Sequence, residues 1–401
     1  MTGKPLWQGR AMRVAVVAGP DPGHSFPAIA LCQQFLAAGD TPTLLTGVEW
    51  LDTARAAGVD AVELIGLDPA ADDDDLDAGA KIHQRAARMA VQNRAQMHAM
   101  DLDLVVSDVI TACGGMSAEL LGIPWIELNP HPLYWPSKGL PPLGSGLAPG
   151  TGVRGRLRDA TMRALTARSW RVGLRQRAQV RVEIDLPATD PGPLRRLIAT
   201  LPALEVARPD WPVEAVLVGP LHFEPTERVL SIPPGSGPVV VVAPSTALTG
   251  TLGMAETALE SLVPGAGLPA GAWVAVSRLN GPDLTMPPWA VAGLCRQDEL
   301  LAHADLVICG GGHGMVAKTL LAGVPLVVVP GGADQWEIAN RVARQGSGRL
   351  VRPLTGEALA SAAGEVLSTP SYRDAAQRAA ATAAEVADPV QVCHEAMARA
   401  R

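Results

Sequence analysis

Short runs of consecutive apolar residues recur along this chain, and each is followed by turn residues and then by a helical pattern. The first run, Val14–Ala18, ends at the turn-forming stretch 19–23, and apolar residues with helical spacing follow over 26–38. A continuous apolar run of this length is typical of a strand with both faces buried in a parallel sheet. Further strands of this kind are predicted at 41–46, 61–64, 104–107 and 125–128. The alternation predicts a parallel, doubly wound α/β sheet.

A second alternation of the same kind begins at Val239–Ala243. Its other strands are predicted at 273–276, 306–309 and 326–329, and its helices at 254–262, 313–322, 336–345 and 356–367. The intervening stretch 220–238 is rich in Pro and Gly, which indicates a linker. We therefore predict an N-terminal domain (1–219), the linker, a C-terminal domain (239–371) and terminal helices (372–401) that pack back on the first domain. Two Rossmann-like domains that face each other across a cleft fit this order.

Composition narrows the function classes. Of the 401 residues 48% are hydrophobic, so both domains can bury a core, and the net charge of -7 argues against a nucleic-acid partner. The five cysteines include no C-x-x-C pair, which argues against a disulfide framework and fits a reducing cytoplasm. The run 14–18 is too short for a signal peptide, and no apolar stretch reaches the ~18 residues of a membrane span. We expect a cytoplasmic protein without a transmembrane segment.

Two ionisable residues follow predicted strands of the first domain. His24 lies near the start of the first helix, and Asp108 directly follows the strand 104–107. Ligands of open α/β sheets bind beyond the carboxyl ends of the strands, so both side chains are expected at the cleft. Asp108 could hold one imidazole nitrogen while the other takes a proton from a hydroxyl. A solvent-facing His24 and an Asp108 that caps the following helix are the alternatives.

The second domain offers a glycine-rich turn after a strand. Residues 306–309 run directly into Gly310–Gly314. Backbone N–H groups at a helix start favour an anion, so a diphosphate is the natural ligand. The sequence there fits neither the G-x-G-x-x-G nor the Walker A pattern, and a plain tight turn is the alternative.

Polar side chains follow two further strands of the second domain. Asp334 and Gln335 offer two carboxylate acceptors and an amide, which suit adjacent sugar hydroxyls. Ser245 and Thr246 offer hydroxyls after the strand 239–243. Helix capping is the alternative at both places.

Taken in order, these motifs resemble the family-1 glycosyltransferases of the GT-B fold, especially the bacterial enzymes that decorate natural products and lipids. The N-terminal motif is Gly23-His24-x-x-Pro27, followed by an Ala- and Leu-rich helix. The C-terminal motifs are Gln297-x-x-Leu300-Leu301, the run 304–314, the run 320–325, Val329-Pro330, Asp334-Gln335, Arg341-Val342 and Gly346-x-Gly348. Their order and spacing make the resemblance specific, and it implies two facing Rossmann-like domains in a GT-B arrangement.

The resemblance implies a role for each matching position. His24 would deprotonate the acceptor hydroxyl, and Asp108 would hold His24 and stabilise its charge. The hydroxyl would attack the anomeric carbon in line, the nucleoside diphosphate would leave, and the configuration would invert. The residues that would bind the donor are Ser245, Thr246, Cys295, Gln297, Gly311, Gly312, His313, Gly314, Met315, Asp334 and Gln335. Family members use no metal, so we expect no cofactor besides a dTDP- or UDP-linked sugar as co-substrate.

Several positions depart from the family's pattern. Gly310 stands where the family usually has a diphosphate-binding His, and Met315 where it usually has Ser or Thr. Leu294 and Arg296 stand where Trp and Pro often border the nucleobase. With the usual side-chain ligands absent, the diphosphate is expected to depend mainly on backbone N–H groups.

The acceptor is expected between two segments of the first domain. Met89 and Met97 lie on the predicted helix 81–100, and His131 and Trp135 lie on the Pro- and Gly-rich loop 129–152. Methionine adapts to irregular apolar ligands, although a methionine on a helix also serves as ordinary core filler. A lipophilic small molecule is therefore the expected acceptor.

The sequence thus predicts an inverting, metal-independent glycosyltransferase of the hexosyltransferase type. Its substrates would be a nucleotide sugar and a lipophilic natural-product aglycone or glycolipid, as in antibiotic biosynthesis, and the chain could form a homodimer. Two alternatives are a nucleotide-sugar epimerase or hydrolase of the same fold, and a non-catalytic auxiliary partner of a glycosyltransferase.

Overall fold

The computed structural model describes residues 11–68, 78–233, 237–247, 250–279, 284–332 and 334–400. The acidic run at 72–75, expected to be a solvated loop, lies outside the described residues. The described chain forms two parallel sheets, each flanked by helices, which confirms the predicted α/β class.

The N-terminal sheet has seven strands in the order β3-β2-β1-β4-β5-β6-β7. The strands are β1 (Arg13–Val17), β2 (Thr41–Thr46), β3 (Asp60–Glu63), β4 (Leu104–Asp108), β5 (Trp125–Asn129), β6 (Arg196–Ile198) and β7 (Ala215–Leu217). The helices are α1 (Pro22–Ala37), α2 (Leu51–Ala56), α3 (Ala78–Ala99), α4 (Cys113–Leu121) and α5 (Gly152–Glu183). The central strands β1 and β4 are buried almost throughout, as their unbroken apolar runs predict.

The C-terminal sheet has six strands in the order β10-β9-β8-β11-β12-β13. The strands are β8 (Val239–Ala243), β9 (Trp273–Ser277), β10 (Ala290–Gly293), β11 (Leu306–Cys309), β12 (Leu326–Val328) and β13 (Gly348–Leu350). The helices are α6 (Met254–Ser261), α7 (Gln297–Leu301), α8 (His313–Leu321), α9 (Asp334–Gln345), α10 (Gly356–Ser368), α11 (Pro370–Ala381) and α12 (Pro389–Ala400). The glycine-rich turn therefore joins the central strand β11 to the start of α8.

The last helix, α12, packs against the first domain. Its Val390, Cys393 and Met397 are buried in the same hydrophobic cluster as the apolar face of α1. His394 lies on the same face of α12, and its Nε2 is 2.7 Å from Asp40 Oδ2. The chain thus crosses back from the second sheet to the first before it ends.

Four short strands were not predicted from the sequence. β6, β7 and β13 have three residues each, and β10 has four. Segments this short are too brief to show a hydrophobic periodicity in the sequence. They are recognised as strands because each pairs with a neighbouring strand. A smaller difference lies at α9, which begins at Asp334 and not at Trp336, so Asp334 and Gln335 form its first turn.

The basic segment after the 129–152 loop folds into α5, a helix of 32 residues. Most of its side chains are exposed, and its C-terminal end is fixed by the fully buried Arg181. The Arg181 guanidinium donates two hydrogen bonds to the Glu119 carboxylate on α4, at 3.0 and 2.7 Å. This paired geometry lets a charged side chain be buried at the helix end.

Candidate active site

A cavity of about 350 Å³ lies between the two domains. The first domain lines it with the start of α1 and the residues after β5, and the second with the turns after β8, β9 and β11. Residues 221–225, which lead from one domain to the other, complete the wall. The carboxyl ends of both sheets therefore meet at one cleft, where ligands of open α/β sheets bind.

His24 and Asp108 meet at the floor of this cleft. β1 and β4 are neighbours with Val17 opposite Ser107, so the residues that follow these strands come together. His24 Nδ1 lies 2.8 Å from Asp108 Oδ2. The Asp108 side chain is fully buried, whereas 17% of the His24 side chain is exposed on the cavity side.

The second carboxylate oxygen of Asp108 is also held. Its Oδ1 accepts a hydrogen bond from the backbone N–H of Ile110 at 3.0 Å and a longer one from the Thr111 hydroxyl at 3.4 Å. Thr111 Oγ1 in turn accepts the Gly19 N–H at 2.8 Å, which ties the turn before His24 to the end of β4. Because α4 begins at Cys113, Asp108 does not cap that helix.

The electrostatic surroundings favour the protonated form of His24. Burial is the largest single influence and lowers the pKa of His24, but the charge and hydrogen bond of Asp108, together with the charges of Asp21 and Asp334, outweigh it. The net pKa of His24 is raised above its ordinary value. When Nδ1–H donates to Asp108, Nε2 is the ring nitrogen whose lone pair can take a proton.

The glycines of the turn after β11 fall into two classes. Gly310 and Gly311 are required by packing, because an added Cβ at Gly310 would lie 2.8 Å from Ser245 Cβ, and one at Gly311 would lie 3.0 Å from Val328 Cγ1. Gly311 also has a φ of +82°, in the left-handed region. At Gly312 and Gly314, which line the cavity, an added Cβ would meet nothing within 4 Å. The open glycines leave the N-terminus of α8 accessible to a ligand.

The polar residues beside this turn are tied to one another. Gln335 is buried, its Nε2 donates to Ser245 Oγ at 2.8 Å, and its Oε1 accepts the Gly331 N–H at 3.0 Å. Asp334 is exposed and lines the cavity, as do Thr246 and Met315. Gln335 therefore holds the loop before α9 against Ser245. The carboxylate of Asp334 is open to the cleft.

His313 faces the other domain. Its Nε2 lies 2.8 Å from the hydroxyl of Thr200, a residue just after β6. Burial is the main reason that the pKa of His313 falls to about 3, so the ring is neutral. This side chain joins the start of α8 to the N-terminal domain while also lining the cavity.

A polar cluster lines the cavity beyond the first turn of α8, and sequence reasoning missed two of its members, Glu224 and Lys318. Lys318 Nζ donates to Glu224 Oε1 at 2.6 Å and to Gln297 Oε1 at 3.0 Å. Gln297 and the buried Cys295, both predicted donor residues, also bond the Ser277 hydroxyl, at 3.2 and 3.7 Å. One signal was available: Lys318 is four residues after Gly314, so the two share a helix face. Glu224 carried no such signal.

Of the four residues predicted to bind the acceptor, one lines the cavity and three lie elsewhere. His131 lines the cavity, with its ring stacked on Tyr134 at 4.4 Å and 6.2 Å from the ring of His24. Its Nδ1 lies 2.7 Å from the Pro132 carbonyl, so Nδ1–H donates there and Nε2 is left as an acceptor. Burial is the main reason that the pKa of His131 is lowered.

The expectation that Met89, Met97 and Trp135 line this cleft is wrong. Both methionines are buried in the hydrophobic cluster that α3 forms with α4 and the first sheet, because they lie on the face of α3 that packs into this cluster. They are core filler, the alternative reading of their spacing. Trp135 lies against the guanidinium of Arg196 at 4.1 Å and lines a separate, smaller pocket.

The described part of the chain contains no cluster of three His, Cys, Asp or Glu side chains arranged to hold a metal ion. Among the same residues, no helix is both long and apolar enough to cross a membrane.

The chain is similar in sequence and fold to known proteins. Residues 274–398 match the family model described as erythromycin biosynthesis protein CIII-like, C-terminal domain. The chain is 28% identical to 4'-demethylrebeccamycin synthase from Lentzea aerocolonigenes over 407 aligned positions, 91% of this chain and 94% of that protein.

Solved structures with a similar fold include CalG4, the calicheamicin glycosyltransferase, with a TM-score of 0.73 and 18% identity over 98% of this chain and 100% of that one. Another is SsfS6 from Streptomyces sp. SF2575 in complex with thymidine diphosphate, with a TM-score of 0.64 and 20% identity over 96% and 99% of the two chains. The chain thus has the GT-B fold, resembles the erythromycin biosynthesis protein CIII-like C-terminal domain over residues 274–398, and is a glycosyltransferase of the natural-product type.

Proposed function

We propose that this glycosyltransferase moves a sugar from a dTDP- or UDP-linked donor to a hydroxyl of a lipophilic small molecule, with inversion at the anomeric carbon. The observation that carries the proposal is the 2.8 Å contact between His24 Nδ1 and Asp108, set across one cavity from the open glycines of α8. A base and an anion-binding helix start on opposite walls are the two parts that the reaction requires.

His24 acts as the general base. Its Nε2 takes the proton of the acceptor hydroxyl while that oxygen forms a bond to the anomeric carbon. The bond from that carbon to the diphosphate oxygen breaks in the same displacement, and the electron pair leaves with the nucleoside diphosphate. Asp108 stabilises the imidazolium that results and keeps the ring in the required tautomer. A single displacement inverts the configuration.

The start of α8 stabilises the leaving group. The positive end of the helix dipole and the free N–H groups of its first turn favour the charge that develops on the diphosphate. Gly312 and Gly314 carry no side chain that would block this approach. Asp334, exposed at the start of α9, is the acceptor for hydroxyls of the donor sugar, and His131 Nε2 is an acceptor beside the incoming substrate.

Similar proteins support the choice of substrates. SsfS6 has been crystallised with thymidine diphosphate, and the spinosyn rhamnosyltransferase SpnG with spinosyn aglycone. Both share the fold of this chain over 96% of its length. We further propose that the transfer needs no metal ion, so activity should persist in the presence of EDTA.

The test is the variant His24→Ala. Transfer to a panel of lipophilic hydroxyl acceptors, followed by mass spectrometry, should fall by about 10²–10⁴-fold, the usual contribution of a general base. Calorimetric titration with UDP and dTDP should show donor-product binding close to that of the unaltered protein. Unchanged turnover in this variant would remove His24 as the base, and sugar nucleotide consumed equally without acceptor would identify a hydrolase instead.

A further inference from the structure

One side of α5 takes no part in the transfer chemistry described above. Buried Asp159 marks the side of this helix that faces the protein. Seven exposed residues lie on the opposite third of the circumference, since each residue turns the helix by about 100°. This outer face of α5 consists of Val153, Arg154, Leu157, Leu165, Arg168, Arg171 and Arg175. It extends over about 33 Å of helix, at about 1.5 Å per residue.

The charge of α5 is opposite to that of the whole chain. The helix contains nine arginines and two carboxylates, a net charge of +7, whereas the chain has a net charge of -7. Asp159 is buried and paired with Arg158 at 2.7 Å, and Glu183 is the last residue of the helix. No Asp or Glu occurs in the loop 129–152 before the helix, or in α3, which packs against it. The outer face thus has no acidic neighbour on these segments.

The four arginines of the outer face form no ion pair with a residue that the structure describes. Arg168, Arg171 and Arg175 follow one another at intervals of three and four residues, so their side chains share one side of the helix. Like charges at this spacing destabilise a helix. A guanidinium group can donate two parallel hydrogen bonds to a phosphate. A surface of phosphate groups would therefore convert this repulsion into attraction.

The apolar residues of the outer face indicate which kind of phosphate surface fits. Val153, Leu157 and Leu165 are 84%, 65% and 76% exposed and lie among the arginines. A nucleic acid would leave these side chains in water, because its outer surface is made of phosphate and sugar. A lipid bilayer would bury them, and helices at anionic membrane surfaces combine basic residues with leucine in this way.

We infer that the outer face of α5 docks this protein on the surface of an anionic lipid bilayer. Its arginines bind the lipid phosphates, and Leu157 and Leu165 enter the headgroup region. The docking is peripheral, because no described helix is long and apolar enough to cross a membrane.

The opposite side of α5 holds the loop that leads to the cavity. Arg158 Nη2 donates to the Ala148 carbonyl at 2.8 Å, and Arg163 Nη1 donates to the Leu140 carbonyl at 2.6 Å. The same loop carries His131 to the cavity wall. A docked α5 would keep this loop beside the bilayer, where a lipophilic acceptor dissolves. That consequence rests on the proposed function, whereas the docking itself does not.

The experiment is co-sedimentation of the full chain with lipid vesicles. The protein should sediment with vesicles made of equal parts phosphatidylglycerol and phosphatidylcholine, but not with vesicles of phosphatidylcholine alone. Raising the salt concentration from about 0.1 M to about 0.5 M should weaken the binding, because salt screens charges at a surface.

Two variants test the two components of the outer face. The triple variant Arg168→Gln, Arg171→Gln, Arg175→Gln should bind anionic vesicles about a hundredfold more weakly, because each cation at such a surface contributes roughly a factor of five. Glutamine is a good helix former, so its thermal unfolding should match that of the unaltered protein. Leu165→Ser keeps every charge and should bind about tenfold more weakly, because it removes buried apolar surface.

The matched control removes the same number of charges elsewhere. Arg55, Arg349 and Arg399 lie outside α5, have side chains that are at least half exposed, and pair with carboxylates. Their triple replacement by Gln should leave vesicle binding within a factor of about three of the unaltered protein, because these charges do not face the bilayer.

Four results would overturn the inference. They are no binding to anionic vesicles, equal binding to both kinds of vesicle, an equal loss in the control variant, and binding to a DNA duplex as tight as that to anionic vesicles. The last result would identify a general polyanion site, in which Leu165→Ser has no effect. If the unaltered protein binds anionic vesicles but transfers no sugar, the proposed function fails and the docking stands.

Discussion

The two walls of the cleft are built on different physical principles. On the N-terminal wall, His24 and Asp108 form one directly bonded pair, and under the proposed function the other ring nitrogen of His24 takes the proton. On the C-terminal wall, the polar side chains mostly bond one another, as Gln335 does with Ser245, and the helix start presents backbone groups. One wall supplies a reactive atom, and the other supplies a fixed shape with a fixed dipole.

This difference teaches where each wall should be sensitive. The N-terminal wall depends on one proton and on the charge that controls it, so pH and isosteric substitutions should affect it most. The C-terminal wall depends on the absence of side chains at a few backbone positions, so added atoms should affect it most. Three sets of variants distinguish loss of the reactive pair, loss of the open glycine positions, and loss of core packing.

Among the variants that compare the two walls, the largest effect is expected for Asp108→Asn. The amide preserves the shape but cannot stabilise the imidazolium, so we expect the transfer rate to fall by roughly 10²-fold or more, within the range for acid–base groups. Steady-state kinetics with a saturating donor measure this loss. A rate within a factor of three of the unaltered enzyme would contradict the pairing.

The same variant should change the pH profile in a direction that the charges dictate. His24 must be neutral to act as a base, and its pKa is raised, so the rate of the unaltered enzyme should increase with pH through a midpoint above the ordinary 6.5. Removing the Asp108 charge leaves burial, which lowers the pKa of His24. The midpoint should then move to lower pH, a shift that a purely structural role of Asp108 would not produce.

The second effect concerns packing behind the N-terminal wall. Met97 is 1% exposed, so Met97→Ala should lower the free energy of unfolding by about 2–5 kcal/mol, measured by denaturant titration. The Michaelis constant for the acceptor should stay unchanged. Val91→Ala on the same helix is the control, because Val91 is 52% exposed and its loss should have little effect. A higher acceptor constant without a loss of stability would return Met97 to the acceptor site.

The smallest effect tests the C-terminal wall with two neighbouring glycines. Gly311→Ala should lower the free energy of unfolding by about 1–2 kcal/mol, because its φ of +82° is unfavourable for a residue with a Cβ. Gly312→Ala should leave stability nearly unchanged, since Gly312 has a φ of -60° and open space around it. Its added methyl group should instead weaken binding of UDP and dTDP in titrations. Identical behaviour of the two variants would contradict the division of the glycines.

Much of the fold could be predicted because its central strands are buried on both faces. Buried parallel strands must be apolar throughout, so β1, β4, β8 and β11 are visible in the sequence without any partner. The edge elements carry weaker signals. β6 and β13 have three residues each and are identified only by pairing, and the start of α9 was placed two residues late.

Candidate residues at strand ends could be predicted for a related reason. Neighbouring parallel strands end at one edge, so His24 after β1 and Asp108 in β4 were expected close together. For residues on helices, the sequence does not show what the side chains contact. The spacing of Met89 and Met97 shows a helix face but not whether protein or a ligand covers it, and here the hydrophobic cluster of α4 and the first sheet covers it.

The sequence by itself predicted two α/β units, a glycine-rich helix start and a histidine and an aspartate at adjacent strand ends. These follow from local periodicity and from the common edge of a parallel sheet. Only the tertiary structure decided that His313 turns to Thr200, 113 residues away, and that Lys318 meets Glu224, 94 residues away. Such contacts depend on how the two sheets and their helices face each other, and no local pattern in the chain encodes that arrangement.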